Sequence, residues 1–398
     1  MSGATVPALT GALVAALILT GCTGSPDATI ADDPAASPAT PPTTTAAGTG
    51  RTSRTPTTSG RSREAPRLSA EPAARIALPA GMRVVGLTLA GSRLAWSGCL
   101  PCAGTAPEAT DLYVADLPSG RPRAVARTRF GRGSTSVVGL AGTTLVWIDR
   151  ADHRGGNSSH ARWALRALDL VSSVSWTVTD GGRPGRPQRE PIAFVGAGHV
   201  TWQLFDPVTA GGEVWSADLR THVVRRVARR LPGPLRAVTA RGLVYVANDP
   251  EARTVVPDAP VPADAYLLPA GGGNAVALTA GHDVADATAD DERLLWSTPH
   301  GEGEALWSRP LGGGAQVLVF TGRVLGFAAG RGFATWTTGE GDPVVELGSG
   351  GPRVTLPDVP AAGGVLAADG DRLALLTVPD RGLSGPLTLV VRAVTGGS

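Results

Sequence analysis

Three observations predict an all-β fold, a seven-bladed β-propeller of four-stranded blades. A short motif recurs seven times along the chain, and each copy is flanked by apolar strands bounded by turns. The last repeat lacks a fourth strand, and an unassigned strand ahead of the first repeat can supply it. Gly 53 and Pro 33, against only 18% charged residues, suit many short strands joined by turns. A net charge of +2 makes no electrostatic case for nucleic acid. Every cationic side chain other than His is Arg, because the chain contains no Lys.

In chain order, residues 1–21 read as an export signal. Ala8–Leu19 is an apolar run too short to span a bilayer, and small residues lead into Cys22. Leu19-Thr20-Gly21-Cys22 resembles the lipobox of bacterial lipoproteins, although Met1–Thr10 lacks the Lys or Arg usual in such a leader. The resemblance implies cleavage before Cys22, acylation of its thiol and anchorage to the outer side of the cytoplasmic membrane. Two acyl chains, at roughly 0.8 kcal/mol per buried methylene, give stable anchoring where one is marginal.

Residues 22–73 form the second element, a tether. Ser, Thr, Pro, Ala and Gly dominate it, as in Pro41-Pro42-Thr43-Thr44-Thr45, so it cannot bury enough apolar surface to offset its ordering entropy. It is expected to be disordered and to span about 40 Å root-mean-square. Arg residues between Arg51 and Arg67 fit ordinary linker solubility.

Residues 74–398 carry the repeats. The motif is a small residue, two residues, an apolar residue, one more, then an aromatic: Gly91-Ser92-Arg93-Leu94-Ala95-Trp96 and Gly142-Thr143-Thr144-Leu145-Val146-Trp147. Weaker copies end at Trp202, Tyr245, Trp296, Trp336 and Leu375. Spacings of about 40 to 55 residues match one blade each. Strands are expected before each copy (Val84–Leu89, Ser136–Leu140, Ile192–Val195, Val324–Ala328), and after it (Asp111–Leu117, Trp163–Leu170, Glu213–Leu219). Fourth strands follow a turn, at Arg123–Arg127 and Val223–Ala228. The last repeat supplies Gly364–Ala368, Arg372–Thr377 and Pro386–Val394 only, and Arg75–Pro79 is expected to complete it, removing exposed edges. This repeat resembles Tol-type periplasmic and WD-repeat propellers, without the Ser-Pro-Asp-Gly turn of the former or the regular Trp-Asp ending of the latter. The resemblance is architectural, and implies a rigid platform for partners. Trp96, Trp147, Trp202, Trp296 and Trp336, at equivalent positions, are expected to pack between blades.

Alternating strand direction puts the second-to-third loops and the blade-to-blade connections on one face. Those loops are long and unequal, the turns on the other face short and Gly-rich, so the long-loop face is the expected binding face. Each of its loops holds an acid: Glu108, Asp149, Asp206, Asp249, Glu302, Asp342 and Asp380. Arg129, Arg132, Arg183 and Arg186 reach the same face from connecting segments, so it has no single sign of charge. A second basic run, Arg220–Arg241, reads as the charged outer edge of one blade, with contact to phosphate polymers of the envelope as the alternative.

With Cys22 lipidated, Cys99 and Cys102 remain, and outside the cytoplasm a disulfide between them is the expectation. No metal site is expected, because no second Cys or His pair stands at ligand spacing, and Asp283, Asp286, Asp290 and Asp291 lack the Gly and Glu of a calcium loop. No catalytic or cofactor motif occurs. The expected function is therefore that of a monomeric, non-enzymatic binding or scaffold lipoprotein, engaging an extracytoplasmic protein or envelope polymer through its long loops. The competing expectation is a carbohydrate-active hydrolase or lyase, recognisable by two neighbouring acids, one of raised pKa.

Overall fold

A computed structural model describes residues 67–395, apart from 70, 101–109, 119, 131–132, 152–161, 183–189, 207–210, 249–262, 282, 349, 357–360 and 378–386, with backbone alone at 361–365. All described residues fall within one unit, Arg61–Ser398.

Seven antiparallel sheets follow one another in chain order. Blade 1 is Arg83–Ala90, Arg93–Cys99, Asp111–Asp116 and Arg123–Arg127; blade 2 is Ser134–Ala141, Thr144–Arg150, Trp163–Asp169 and Ser175–Gly181. Blade 3 is Ile192–Gly196, His199–Asp206, Gly211–Asp218 and Val224–Leu231; blade 4 is Leu235–Thr239, Gly242–Asn248, Ala263–Pro269 and Val276–Ala277. Blade 5 is Asp286–Ala289, Arg293–His300, Gly303–Pro310 and Val317–Gly322; blade 6 is Val324–Gly330, Phe333–Thr338, Pro343–Leu347 and Arg353–Thr355. The first strand of each blade touches the first strand of the next, and that of blade 7 touches that of blade 1, so the first strands line the axis of a closed ring.

Closure is the seam that the sequence predicts. Blade 7 has three strands of its own, Ala361–Asp369, Arg372–Thr377 and Thr388–Thr395. Its outer strand comes from the other end of the chain: Ala74–Ala77 pairs with Thr388–Val391. Ile76, Ala74 and Leu78 are buried there while Arg75 and Ala77 face out, the alternation a half-buried strand requires. Ahead of position 74, Arg67 and Leu68 also pair with the last strand, at Thr395 and Val394. Their register with the last strand outweighs the polar composition that assigned them to the tether. On the short-turn face, Gly91 N–H donates to Asp369 (2.9 Å) and Arg372 donates to Gly91 O (2.6 Å), sealing blade 7 to blade 1.

The repeated motif follows from packing. Its aromatic sits on the second strand of each of the first six blades, with Leu375 in its place in blade 7, and points at the preceding blade: Trp147 packs against Leu112 and Val114 of blade 1, and Trp336 against Leu306 and Val319 of blade 5. Burial is nearly complete, from 0% for Trp96 to 4% for Tyr245. Each aromatic also faces a cross-strand partner on the third strand, as in Trp96–Tyr113 (centroids 5.7 Å apart), Tyr245–Tyr266 (5.4 Å) and Trp296–Trp307 (6.4 Å). In these three blades the motif aromatic stacks within its own blade, while Trp336 meets Phe320 of the preceding blade at 6.0 Å.

Glycines of the motif and of the strand before it have separate uses. Gly91 and Gly142 hold φ of 53° and 57° in the tight turn between first and second strands. Gly139 lets adjacent first strands approach: a Cβ there would sit 2.7 Å from Val195 Cβ. The residue entering the second strand is tied to the third strand in every blade. Leu117 donates to Ser92 O, Leu170 to Thr143 O, Leu219 to Gly198 O, Ala270 to Arg241 O, Leu311 to Glu292 O, Gly348 to Gly332 O and Val394 to Asp371 O, all at 2.7 to 3.0 Å. These equivalent bonds fix the short-turn face as a rigid surface.

Candidate functional site

Four of the seven expected face acids are described, and the structure separates them. Asp149, at the end of the second strand of blade 2, is not a surface acid: it is fully buried, with Oδ2 3.4 Å from Nη1 of Arg166. Its parity in the strand matches that of Trp147, so the side chain turns in toward blade 1, and Arg166 lies 5.1 Å from the Trp147 ring centroid. Burial raises the Asp149 carboxyl above the usual range, opposed by Trp147 and Arg166. Asp206 and Glu302 are exposed, Asp342 is half-buried, and each belongs to a different blade. Glu108, Asp249 and Asp380 lie outside the described residues, as do Cys22 and Cys102. Cys99, at the end of a second strand and buried, is disulfide-bonded.

Two clefts open on the opposite, short-turn face, and they flank blade 3. The first, about 470 Å³, lies between blades 2 and 3 and is lined by Thr143, Asp169, Ser172, Trp176, Arg220 and His222 among others. The second, about 380 Å³, lies between blades 3 and 4, with His199, Thr201, Ser216, Arg225 and Thr239 in its wall.

The hairpins that shape the first cleft are built alike. Asp169 closes the third strand of blade 2, and its Oδ1 accepts from the N–H groups of Val171 (2.8 Å) and Ser172 (3.0 Å). Asp218 does the same in blade 3, accepting from Arg220 (2.9 Å) and Thr221 (2.7 Å). In each hairpin the fourth residue after the start takes a left-handed conformation without being glycine: Ser173 at φ 59° and His222 at φ 61°. That conformation, with His222 N–H donating to Asp218 O at 2.9 Å, sets the imidazole over Trp176 of blade 2, centroids 4.3 Å apart and planes 22° from parallel. Backbone N–H groups hold both hairpin carboxyls below the usual range, so Asp169 and Asp218 are ionised and occupied within their own turns.

Asp218 joins the two clefts. Its second oxygen lies 3.6 Å from Nε2 of His199, whose Nδ1 is 3.0 Å from Ala197 O. Behind His199 the hydroxyl of Thr201 donates to that of Ser216 at 3.2 Å. Of the Arg run expected as the edge of one blade, Arg225, Arg226, Arg229 and Arg230 lie on the outer strand of blade 3, Val224–Leu231, exposed along nearly its full length, whereas Arg236 and Arg241 belong to blade 4. Arg226 pairs with Glu213 at 3.0 Å and lies 5.7 Å from the Trp215 centroid. The side chains of Arg220, Arg225 and Arg229 have no ion-pair partner among the described residues.

A third constellation stands at the long-loop end of blade 5. Asp286, near the axis, pairs with Arg236 of blade 4 at 3.1 Å. Glu304 begins the third strand, and burial raises its carboxyl, with the Asp286 charge adding to the effect and a Ser297 hydrogen bond opposing it.

Sequence reasoning did not single out Trp176 or Glu304, and it read Arg220 and Arg225 as part of a charged blade edge. The signal for the first cleft was present as two similar hairpins, Asp169-Leu170-Val171-Ser172-Ser173-Val174 and Asp218-Leu219-Arg220-Thr221-His222-Val223, which read only as strand ends.

No protein-family model matches the chain, and no curated protein matches it. Among solved structures the ring is similar to the β-propeller domain of the Trilobed protease from Pyrococcus furiosus, at 14% identity over 78% of this chain and 95% of that one, with a TM-score of 0.54. It is also similar to an acylaminoacyl peptidase in complex with Z-Gly-Gly-Phe-chloromethyl ketone, at 13% identity over 78% of this chain, with a TM-score of 0.53. The chain spans about half of that peptidase, 51% of its length. Likeness at this identity establishes the shared fold.

Proposed function

We propose that this chain is a non-enzymatic binding lipoprotein, held outside the cytoplasmic membrane by a lipidated Cys22, whose propeller engages a protein or envelope polymer. The observation that carries the reading is the pair of adjacent clefts, about 470 and 380 Å³, walled by rigid turns and by Arg220 and Arg225 without ion-pair partners among the described residues. A site of this kind, shaped in advance and mixed in polarity, lowers the ordering cost of binding. The long-loop acids Asp206, Glu302 and Asp342, with Glu108, Asp249 and Asp380, offer a second face for the same role.

The reading is tested by crosslinking and mass spectrometry in the native envelope. The chain has no Lys, so the crosslinker must be carboxyl-directed or photoactivated. A reproducible partner, lost when the cleft residues are replaced, supports a binding platform; repeated failure to capture anything rejects it. Replacing Cys22 with Ser is expected to move the chain from the membrane to the soluble fraction. Unchanged fractionation would reject the anchor.

One observation favours a second reading, a carbohydrate-active hydrolase or lyase. Burial raises the Glu304 carboxyl and the nearby Asp286 charge adds to the shift, so two acids of unequal pKa stand at one end of blade 5. Turnover of glycans that disappears in a Glu304→Gln variant would establish it over the binding reading.

A further inference from the structure

We infer that the two clefts flanking blade 3, together with its outer strand, bind a linear acidic polysaccharide. This deepens the binding reading above and rests on it.

Charge is the first argument. Blade 3 presents Arg220 at one cleft, Arg225 at the other and Arg229 on the strand between the two faces, none ion-paired among the described residues. Of the neighbouring acids, Glu213 is paired with Arg226, while Asp169 in the first cleft and Asp218 between the two stay ionised with one oxygen each held by their own turns, and neither forms an ion pair with these Arg. Unpaired guanidinium groups beside a groove attract carboxylates and bind them through two parallel N–H groups.

Ring chemistry is the second. Trp176 and His222 stack across the blade boundary at the wall of the first cleft, with His222 exposed. The hydroxyls of Thr143 and Ser172 stand in the same cleft; those of Thr201 and Ser216, in the wall of the next, are buried and bonded to each other. Flat rings beside hydroxyl groups and cations match a sugar ring bearing a carboxylate. They do not match a flexible phosphate polymer, which has no ring face to cover. Repetition is the third argument: two clefts, each with one Arg and one His, joined through Asp218, suit a ligand that repeats.

An acidic peptide is the competing occupant, and the outer strand argues against it. A peptide would add to this edge as a further strand. The edge carries four Arg and its pairing with the third strand is broken by two register shifts, between Gly212 and Val214 and between Val214 and Trp215. Charge and bulging are what discourage strand addition.

The test is calorimetric titration of the full chain with alginate oligomers, against dextran, polyglutamate and inorganic polyphosphate. Alginate is expected to bind and dextran not to. Arg220→Gln and Arg225→Gln should each weaken alginate binding about tenfold, the loss of one charged hydrogen-bonding partner. Trp176→Leu should weaken it about fivefold without weakening residual polyphosphate binding, and Trp176→Phe should restore part of the loss. Unchanged thermal unfolding in the Arg variants shows that the loss is not misfolding. Absence of alginate binding overturns the inference, as does equal affinity for polyglutamate or polyphosphate with no effect of Trp176→Leu. A partner captured equally by the parent and by the Arg220→Gln, Arg225→Gln double variant also overturns it, while leaving the binding reading intact.

Discussion

Replacing Ile76 with Ala tests whether the ring is held shut by its N-terminal strand. Ile76 is 3% exposed and packs among Met82, Leu89, Leu94, Trp96, Leu389 and Val391, so its side chain joins blades 1 and 7. Ala removes the equivalent of three methylene groups, about 2.4 kcal/mol at roughly 0.8 kcal/mol each. The residual cavity adds more, because the flanking Trp96 and Leu389 are held by their own strands, giving a loss of about 3 to 4 kcal/mol. Equilibrium unfolding in urea, followed by Trp fluorescence, measures it. Arg75, the neighbour facing solvent, is the control: Arg75→Ala should stay within about 0.5 kcal/mol of the parent. A loss below about 0.5 kcal/mol for Ile76→Ala would mean that the seam does not support the ring, and would refute the account of closure.

Two further substitutions test the packing and the buried charge. Gly139→Ala brings a Cβ to 2.7 Å from Val195 Cβ and should cost about 1 to 3 kcal/mol, with part of that recovered in a double-mutant cycle by adding Val195→Gly, which removes the clashing Cβ; strict additivity would refute the close approach. For Asp149, burial raises the folded-state pKa above the unfolded value near 3.9, so the folded state holds the proton more strongly. The resulting stabilisation is complete below the unfolded value and is lost as pH rises through the folded one. The parent should therefore gain stability relative to Asp149→Asn as pH falls from about 7 to about 4, and a pH-independent difference would refute the assignment.

The ring was legible because its period is long and its signals are backbone signals. Glycines at equivalent turns, an aromatic on every second strand but the last and a missing outer strand all report local geometry or arithmetic, and the structure returns each near the expected position. Arg123–Arg127 and Arg372–Thr377 match to the residue. The short strand at Arg67 and Leu68 was not legible because a two-residue pairing with Val394 and Thr395 has no local signature. Asp149 failed for a different reason. A carboxylate beside a long connection reads as exposed, but strand parity with Trp147 and a cation on the neighbouring strand turn it inward, and neither is visible until the register of Asp149 against Ala164 is known. The clefts were hidden because they form between blades. Trp176 and His222 come from different repeats, and the left-handed conformation that unites them belongs to a residue with no glycine to announce it.

The seam also dictates an order of events during synthesis. Ser69 and Arg392 are hydrogen-bonded across 323 residues, so one of the earliest ordered segments made has its partner among the last. Until Thr388–Thr395 emerges, Ala74–Ala77 has no strand to join, and the six complete blades before it stand as an open arc. A contact of such sequence separation is slow to form and is the last entropy cost to be met. During that interval the waiting strand, with Ile76 and Leu78 uncovered, is where a chaperone or a protease would find the unfinished protein.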